Sequence, residues 1–196
     1  DVIGHLRELG FDSVTHYVYL PEWKGPLLQD YDELARRRAG EWERWARASG
    51  LLYMPSVSPG WDASPRGADF GPERPDKYPW SPVVTGEHPA RFYDALRRAV
   101  RFAQSTPGPG TAGSSDGDEP LVFVSSLNEW SEGHYLEPDE RFGTGWLEAT
   151  SAPGRGAVIP HQGAQDQGVT GALARHQGPP LPSLMICRKQ PSVYGV

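Results

Sequence analysis

Two glutamates, Glu129 and Glu132, are the residues whose types and spacing best suit chemistry. They lie three positions apart in the segment NEWSEGHYLEPD, residues 128–139. In a helical turn this spacing places both side chains on one face, with Cβ atoms about 5–6 Å apart. Carboxyl groups about 5–5.5 Å apart suit retaining chemistry at a glycosidic bond, where one group is protonated and the other is ionised. Like charges this close push the pKa values of a carboxyl pair apart, which makes an acid and a base from identical groups.

Two other interpretations of these carboxylates stay open. The E-x-x-E spacing is common, so the pair is also consistent with a solvated turn that has no catalytic role. Carboxylate oxygens also suit a hard metal ion, which Glu129, Glu132, Glu137 or Asp139 would hold. The segment lacks the alternating Asp and Asn residues of a calcium loop. We therefore predict no metal and no cofactor.

A second segment, GWDASPR at residues 60–66, supplies candidates for substrate binding. Asp62 and Arg66 either bind sugar hydroxyls or orient a catalytic carboxylate, or they form a local ion pair that braces a Pro-rich loop. Trp61 either stacks on a sugar ring or is buried in the core. The sequence does not decide between these alternatives.

Further candidates for substrate contacts surround the glutamates or follow the first predicted strand. Trp130 and Tyr135 would supply an apolar wall beside the carboxyl pair, and Asn128 precedes Glu129 directly. Tyr17 alternates with His16, so the two side chains point to opposite faces of their strand. One of these faces should line the site, and the alternation does not say which.

The elements that must position these residues alternate along the chain. Apolar runs rich in β-branched and aromatic residues predict strands at 11–20, 51–57 and 121–128. A helical period of apolar residues predicts helices over 31–49 and from Pro89 onward. The period rests on Tyr31, Leu34, Ala35, Trp42, Trp45 and Ala46 in the first helix and on Phe92, Leu96, Ala99, Val100 and Ala103 in the second.

Alternating strands and helices favour a parallel α/β sheet or barrel, in which chemistry collects at the carboxyl ends of the strands. The segments at 60–66 and 128–139 both follow predicted strands, so we expect them to meet on one face. A (β/α)8 barrel takes roughly 250 residues. Three clear strands therefore predict part of such a barrel, and we expect the chain to begin inside a larger domain.

Composition sets the remaining expectations. Residues 106–120 read as a flexible insertion and residues 151–196, rich in Gly, Pro and Gln, as a disordered tail. The net charge of −6 argues against a nucleic-acid partner. A single cysteine excludes an internal disulfide framework. No apolar run approaches the roughly 18 residues of a membrane span, and the N-terminus lacks signal-peptide features, which favours a cytoplasmic location.

Three segments together carry a resemblance to a known family. NEWSEGHYLEPD resembles the N-E-W-[AH]-E-G-x-x-[LI]-E-P segment of glycoside hydrolase family 99-like proteins, and most closely that of their WbsX-like branch, the glycosyltransferases of polysaccharide synthesis. GWDASPR is similar to the G-W-D-N-T-P-R segment of that branch, and GTGWLEA at 143–149 is similar to its closing G-x-x-Y-L-E-A. The resemblance extends over residues 1 to about 150.

The resemblance implies a (β/α)8 barrel that acts on glycosidic bonds, and that residues 1–150 form the C-terminal portion of this TIM-type barrel. In the hydrolase branch the first glutamate of the motif deprotonates the sugar 2-hydroxyl and the second is the general acid/base. These positions are Glu129 and Glu132 here. The hydrolases tend to have His before the second glutamate, where this chain has Ser131. This departure places the chain nearer the WbsX-like branch.

The sequence therefore favours a carbohydrate-active enzyme that cleaves or transfers at a glycosidic bond, with Glu129 and Glu132 as the catalytic pair. The predicted partner is an oligosaccharide or polysaccharide, whereas the sugar, the linkage, the direction of reaction and the oligomeric state stay open. The alternative is an inactive carbohydrate-binding or vestigial protein, because a partial barrel leaves strand edges and an unfinished core exposed.

Overall fold

The computed structural model describes residues 8–11, 13–17, 20–106 and 121–151. Its three α-helices are α1 (Tyr31–Ser49), α2 (Pro89–Ser105) and α3 (Gly145–Ser151). Its strands are β1 (Ser13–Thr15), β2 (Leu28–Asp30), β3 (Leu52–Met54), β4 (Ser56–Val57), β5 (Val83–Thr85), β6 (Phe123–Val124), β7 (Asn128–Glu129) and β8 (His134–Tyr135). Two 3₁₀ helices, Ser64–Phe70 and Trp130–Glu132, complete the described part.

Local signals explain where α1 begins and ends. The Asp30 side chain accepts a hydrogen bond from the Glu33 N–H at 2.9 Å, which satisfies a donor that has no partner within the helix. Gly50 then takes the left-handed conformation at φ 62° and donates its N–H to the Ala46 carbonyl, as a helix C-terminus favours. The predicted helix over 31–49 is confirmed at both ends.

The second predicted helix is confirmed as α2. His88 caps it, because its Nδ1 accepts from the Ala90 N–H at 3.1 Å, and Pro89 occupies the first turn, where no N–H is needed. The predicted stripe contributes Phe92, Leu96 and Ala99 to the core with no exposed surface. This face lets α2 pack between α1 and α3 and against β4.

The strands form four separate pairs within the described residues. Three pairs are parallel, β1 with β3, β2 with β5 and β4 with β6, whereas β7 and β8 form an antiparallel hairpin. A mixed α/β fold is thus confirmed, and its arrangement as part of a (β/α)8 barrel stays a prediction. The strands β2 and β5 were not predicted, because each has only three residues and lies in a segment that Pro and Gly interrupt.

Several predictions fall outside the described residues. They concern most of the insertion at 106–120 and the tail after Ser151. The division into a domain at 1–150 and a tail at 151–196 likewise stays a prediction. In the part of the chain that the structure describes, every helix is too short or too polar to cross a membrane.

Candidate active site

A tight hairpin positions the two glutamates. Glu129 ends β7, the 3₁₀ turn Trp130–Glu132 follows, and Gly133 leads into β8. In a 3₁₀ turn, residues three positions apart eclipse one another, so the side chains of Glu129 and Glu132 lie on the same side. The sequence predicted a shared face from a helical turn, and the structure supplies it with a strand end and a 3₁₀ turn.

The two predicted segments meet backbone to backbone. The Asp62 N–H donates to the Glu132 carbonyl at 2.9 Å. Gly133 has φ +65°, and a Cβ on it would lie 2.7 Å from the Asp62 nitrogen. A Cβ on Gly60 would lie 2.9 Å from the Gly133 carbonyl oxygen. Glycine is therefore required on both sides of this contact, because any side chain would force the segments apart.

Arg66 joins the two glutamates. Its Nη1 lies 2.7 Å from Glu132 Oε1 and its Nη2 lies 3.3 Å from Glu129 Oε1. Arg66 is 63 positions from Glu129 in the chain, so this is a tertiary contact. Within the described residues the ion pairs of Arg66 run to Glu129 and Glu132, and its role in orienting a catalytic carboxylate or binding sugar hydroxyls stays a prediction.

Two further residues complete this group, and sequence reasoning missed both as site residues. Ser131 Oγ accepts from Arg66 Nε at 2.9 Å and donates to Glu129 Oε1 at 2.5 Å. The Tyr78 hydroxyl accepts from Arg66 Nη1 at 2.8 Å and donates to Glu132 Oε1 at 3.2 Å. Ser131 was noted only as a departure from the family pattern, and Tyr78 lies in a Pro-rich segment with no motif. We call Arg66, Tyr78, Glu129, Ser131 and Glu132 the carboxylate cluster.

The cluster gives its two glutamates different environments. The hydrogen bond from Ser131 lowers the pKa of Glu129, and Arg66 lowers it further against the opposing effect of burial. The Glu129 side chain is 33% exposed, whereas that of Glu132 is 11% exposed. Glu129 is thus the more accessible carboxylate and is held ionised.

His134 lies behind Glu132 and was not predicted as a site residue. Its Nε2 lies 3.1 Å from Glu132 Oε2, and its side chain is fully buried. Its ring stacks on Trp61 with centroids 5.5 Å apart and an interplanar angle of 12°. The sequence feature that could have indicated a role for His134 is its place in the motif, two positions after Glu132.

The aromatic candidates lie elsewhere, around a cavity of about 330 Å³. Trp130 stacks on Tyr135 at 3.6 Å between ring centroids, and Trp130 is 45% exposed. Glu129, Glu132 and Arg66 are not among the residues that line this cavity. Its walls include Trp61, Asp62, Glu87, Trp130, Tyr135, Arg141, Phe142 and Trp146. We call it the aromatic pocket.

The structure therefore divides the predicted site residues into two neighbouring groups. Asp62 lines the aromatic pocket, and its Oδ1 accepts from the Ser64 N–H at 2.9 Å. Trp61 is only 4% exposed, so both the buried and the pocket-lining interpretations hold. The predicted apolar wall of Trp130 and Tyr135 faces the aromatic pocket. No residue of the carboxylate cluster is among the residues that line this pocket.

Tyr17 and Asn128 are the remaining candidates. Tyr17 is 73% exposed, and burial together with the charges of Glu132 and Glu129 raises its pKa. The Tyr17 ring lies edge to face against the His134 ring, with centroids 6.2 Å apart, whereas His16 contacts the Tyr53 hydroxyl at 2.8 Å. Asn128 pairs with Tyr135 in the hairpin and is exposed.

Two of the carboxylates considered as metal ligands, those of Glu137 and Asp139, accept hydrogen bonds from neighbouring side chains. Glu137 Oε2 accepts from Trp130 Nε1 at 2.6 Å. Asp139 Oδ2 accepts from the Tyr135 hydroxyl and from Trp146 Nε1, each at 3.0 Å. Among the described residues, no group of three or more His, Cys, Asp or Glu side chains is arranged to hold a metal ion.

Comparison with known proteins gives a family match. The model of the family described as Glycosyltransferase WbsX matches residues 12–150. The chain is similar to the uncharacterized protein WxcX of Xanthomonas campestris pv. campestris, with 30% identity over 159 residues in one strain and 29% in strain B100. Each alignment covers 74% of this chain and 19% of the relative, so the chain spans about a fifth of the length of these curated relatives. No solved structure matches the chain.

Proposed function

Because the chain belongs to the glycosyltransferase WbsX family, we propose that it contributes to an enzyme acting at a glycosidic bond of a polysaccharide. Glu129 and Glu132 carry the chemistry, and the described strands and helices form part of a (β/α)8 barrel. The family supports a role in carbohydrate chemistry. The assignment to these two residues rests on the contacts of the carboxylate cluster.

The observation that carries the proposal is the bridging of both glutamates by Arg66. Moving a carboxylate from water into the protein costs free energy unless it is paired and hydrogen-bonded. Glu132, with an 11% exposed side chain, meets this cost with Arg66, Tyr78 and His134. A solvated turn would not need such an arrangement. The contacts therefore favour a functional role over a merely solvated pair.

The two glutamates take different roles in this proposal. Glu129 is ionised and more exposed, which suits a base that removes a proton from a sugar hydroxyl. Glu132 is the general acid/base at the glycosidic oxygen, because it is the buried member of the pair. Arg66 orients both carboxylates, and its planar fork suits this task.

The aromatic pocket holds a neighbouring sugar unit in this proposal. The stacked rings of Trp130 and Tyr135 offer an apolar surface to a pyranose face. Asp62 and Glu87 offer carboxylate oxygens to its hydroxyls. Trp61 Nε1 is buried without a hydrogen-bond partner among the described residues, and a buried donor of this kind gains from an acceptor.

The separation of the aromatic pocket from the carboxylate cluster also favours a second candidate function. A carbohydrate-binding protein without turnover would need the aromatic pocket and not the glutamates. The two functions differ in their products, because a binding protein retains an oligosaccharide and neither cleaves nor transfers it.

The test uses Glu132→Gln and Glu129→Gln in a full-length relative that carries the same motif. Proton transfer by a positioned side chain contributes about 10²–10⁴-fold, so turnover of a polysaccharide substrate should fall by that order while affinity changes little. The double variant should lose less than the product of the single losses, because the two groups act as a unit. The matched control is Glu140→Gln, since Glu140 is exposed and lies in the same region.

Near-normal turnover in Glu132→Gln would remove the catalytic assignment. Retention of oligosaccharide by wild type and by both variants, with no product from any of them, would support the binding function instead.

A further inference from the structure

Both ring nitrogens of His134 have fixed neighbours. Nε2 lies 3.1 Å from Glu132 Oε2 and Nδ1 lies 3.3 Å from Ser126 Oγ. The ring is fully buried and stacked on Trp61. Water therefore has no access to either nitrogen, and each proton on the ring must be matched to one of these neighbours.

The Nδ1 side of the ring carries a hydrogen. Ser126 Oγ lies 3.1 Å from the His134 carbonyl oxygen, which only accepts hydrogen bonds. The single hydroxyl hydrogen of Ser126 goes to that carbonyl, so Oγ presents a lone pair to Nδ1. Burial lowers the pKa of His134, and a backbone hydrogen bond with Ser125 opposes this effect. A backbone contact raises the pKa of an imidazole when the ring donates to a carbonyl, which is consistent with a hydrogen on Nδ1.

The other ring nitrogen, Nε2, then faces Glu132 Oε2, and one proton position lies between these two atoms. A neutral ring with its hydrogen on Nδ1 has a bare lone pair on Nε2. An ionised carboxylate oxygen 3.1 Å from that lone pair would be repelled, so one proton must lie between Oε2 and Nε2. We propose that Glu132 and His134 hold this proton jointly, and that His134 is the positioning residue that keeps it available to the general acid. Only the transfer of this proton to a glycosidic oxygen rests on the proposed function; the sharing of the proton does not.

The surrounding groups act on the shared proton in opposite directions. Arg66 and the Tyr78 hydroxyl contact Glu132 Oε1 at 2.7 and 3.2 Å and stabilise its carboxylate form, with the proton on the ring. Burial of His134 stabilises the neutral form of its ring. Neither form is stabilised by every neighbour, so the proton can move between the two atoms.

Two further groups face this pair. The negative charge of Glu129 favours the protonated ring of His134. Tyr17 presents its ring to His134 edge to face, with centroids 6.2 Å apart, and its raised pKa keeps its hydroxyl neutral. Among the described residues, Glu129 is the charge besides that of Glu132 that acts on His134.

The shared proton supplies what a general acid needs. An ordinary glutamate, with a pKa of about 4.3, is ionised near neutral pH and has no proton to give. The pair transfers its proton to the glycosidic oxygen as the bond from that oxygen to the sugar carbon breaks. The pair is then left without a proton. The O–H of the incoming water or acceptor hydroxyl returns one proton as its oxygen bonds to the same carbon.

The tautomer of His134 tests the proposal on the unmodified chain. In ¹⁵N-histidine-labelled protein, long-range ¹H–¹⁵N correlations distinguish a hydrogen on Nδ1 from one on Nε2. We expect Nδ1 of His134 to be protonated from pH 6 to pH 8. His88 serves as an internal reference, because its Nδ1 accepts from the Ala90 N–H and its neutral form must carry the hydrogen on Nε2. A bare Nδ1 on His134 would overturn the proposal, since Nε2–H would then be an ordinary donor to an ionised Glu132.

A kinetic arm uses His134→Gln in the full-length relative, because glutamine still donates to Glu132 but cannot exchange a proton. We expect kcat at neutral pH to fall about tenfold, KM to change little and the alkaline limb of the kcat profile to move to lower pH. His88→Gln should leave the profile unchanged. An unchanged profile in His134→Gln would overturn the role of the shared proton in turnover. The tautomer is read without turnover, so failure of the proposed function and failure of the shared proton are distinguishable.

Discussion

At the scale of single residues, identical side chains acquire different properties from their neighbours. Glu129 receives Ser131 and Arg66, whereas Glu132 receives Arg66, Tyr78 and His134. Environment is what separates an acid from a base in a carboxyl pair. Here the difference comes from hydrogen-bond partners and exposure. The negative charges of both glutamates are balanced in part by one guanidinium.

Ser131→Ala tests the environment of Glu129. The hydrogen bond from Ser131 is the largest cause of the lowered pKa of Glu129, so its loss should raise that pKa. Since the folded pKa is depressed, the stability that Glu129 contributes is present above the ordinary value of about 4.3 and is lost as pH falls through the folded pKa. In Ser131→Ala this loss should be smaller and should be complete at a higher pH, because the pH at which it begins is set by the unfolded chain and does not change.

A ¹³C NMR titration of the Glu129 carboxyl measures this shift. The control is Ser105→Ala, because Ser105 is an exposed serine that bonds only to the nearby Phe102 carbonyl. An unchanged titration of Glu129 in Ser131→Ala would mean that the Ser131 contact does not stabilise the carboxylate.

At the scale of elements, the site depends on the contact between the β7–β8 hairpin and the loop at 60–66. Each of these segments is short and irregular, and neither would hold its side chains in place alone. The contact from the Asp62 N–H to the Glu132 carbonyl fixes the hairpin against the loop, and the bridge of Asp62 to Val83 ties the loop to β5. Arg66 thereby reaches glutamates that lie far away in the chain.

Gly133→Ala should break this contact. A left-handed residue with a Cβ costs about 1–2 kcal/mol, and overlap with the Asp62 backbone adds about 1–3 kcal/mol. We expect the free energy of unfolding to fall by about 2–5 kcal/mol, measured by denaturant unfolding. Gly143→Ala is the matched control, because Gly143 has φ +54° and no atom within 4 Å of the added Cβ. Equal losses in the two variants would show that the close approach at Gly133 contributes nothing.

At the scale of the whole molecule, the core and the candidate site occupy different places. The core is built around α2, which packs against α1 and α3. Phe92 and Leu96 of α2 have no exposed surface, whereas the carboxylate cluster lies at the surface, where a substrate has access.

Leu96→Ala should destabilise the whole described fold. Truncation of a fully buried leucine costs about 2–5 kcal/mol, because burial is lost and a cavity remains. We expect a lower Tm in circular dichroism and in tryptophan fluorescence together, as a cooperative domain requires. The control is Leu9→Ala, since Leu9 is 67% exposed and should change stability by less than about 0.5 kcal/mol. Equal stability of the two variants would contradict the placement of Leu96 in the core.

The features that contiguous residues encode could be read before the structure. The bounds of α1 and the start of α2 follow from a helical apolar period and from Gly50 and Pro89, because caps and propensities act within one turn of chain. The meeting of the segments at 60–66 and 128–139 was expected from their position after strands. The three motifs were sufficient to identify the family.

Tertiary structure determined which side chains meet. Arg66 and Tyr78 contact Glu132 from other segments of the chain, and no spacing within one segment encodes those contacts. The same reason explains why Trp130 and Tyr135 line the aromatic pocket although they neighbour the glutamates in sequence. The direction of a side chain at a strand end or in a 3₁₀ turn depends on the elements packed around it. For the same reason, β2 and β5 became evident only once the chain had brought them together as a parallel pair.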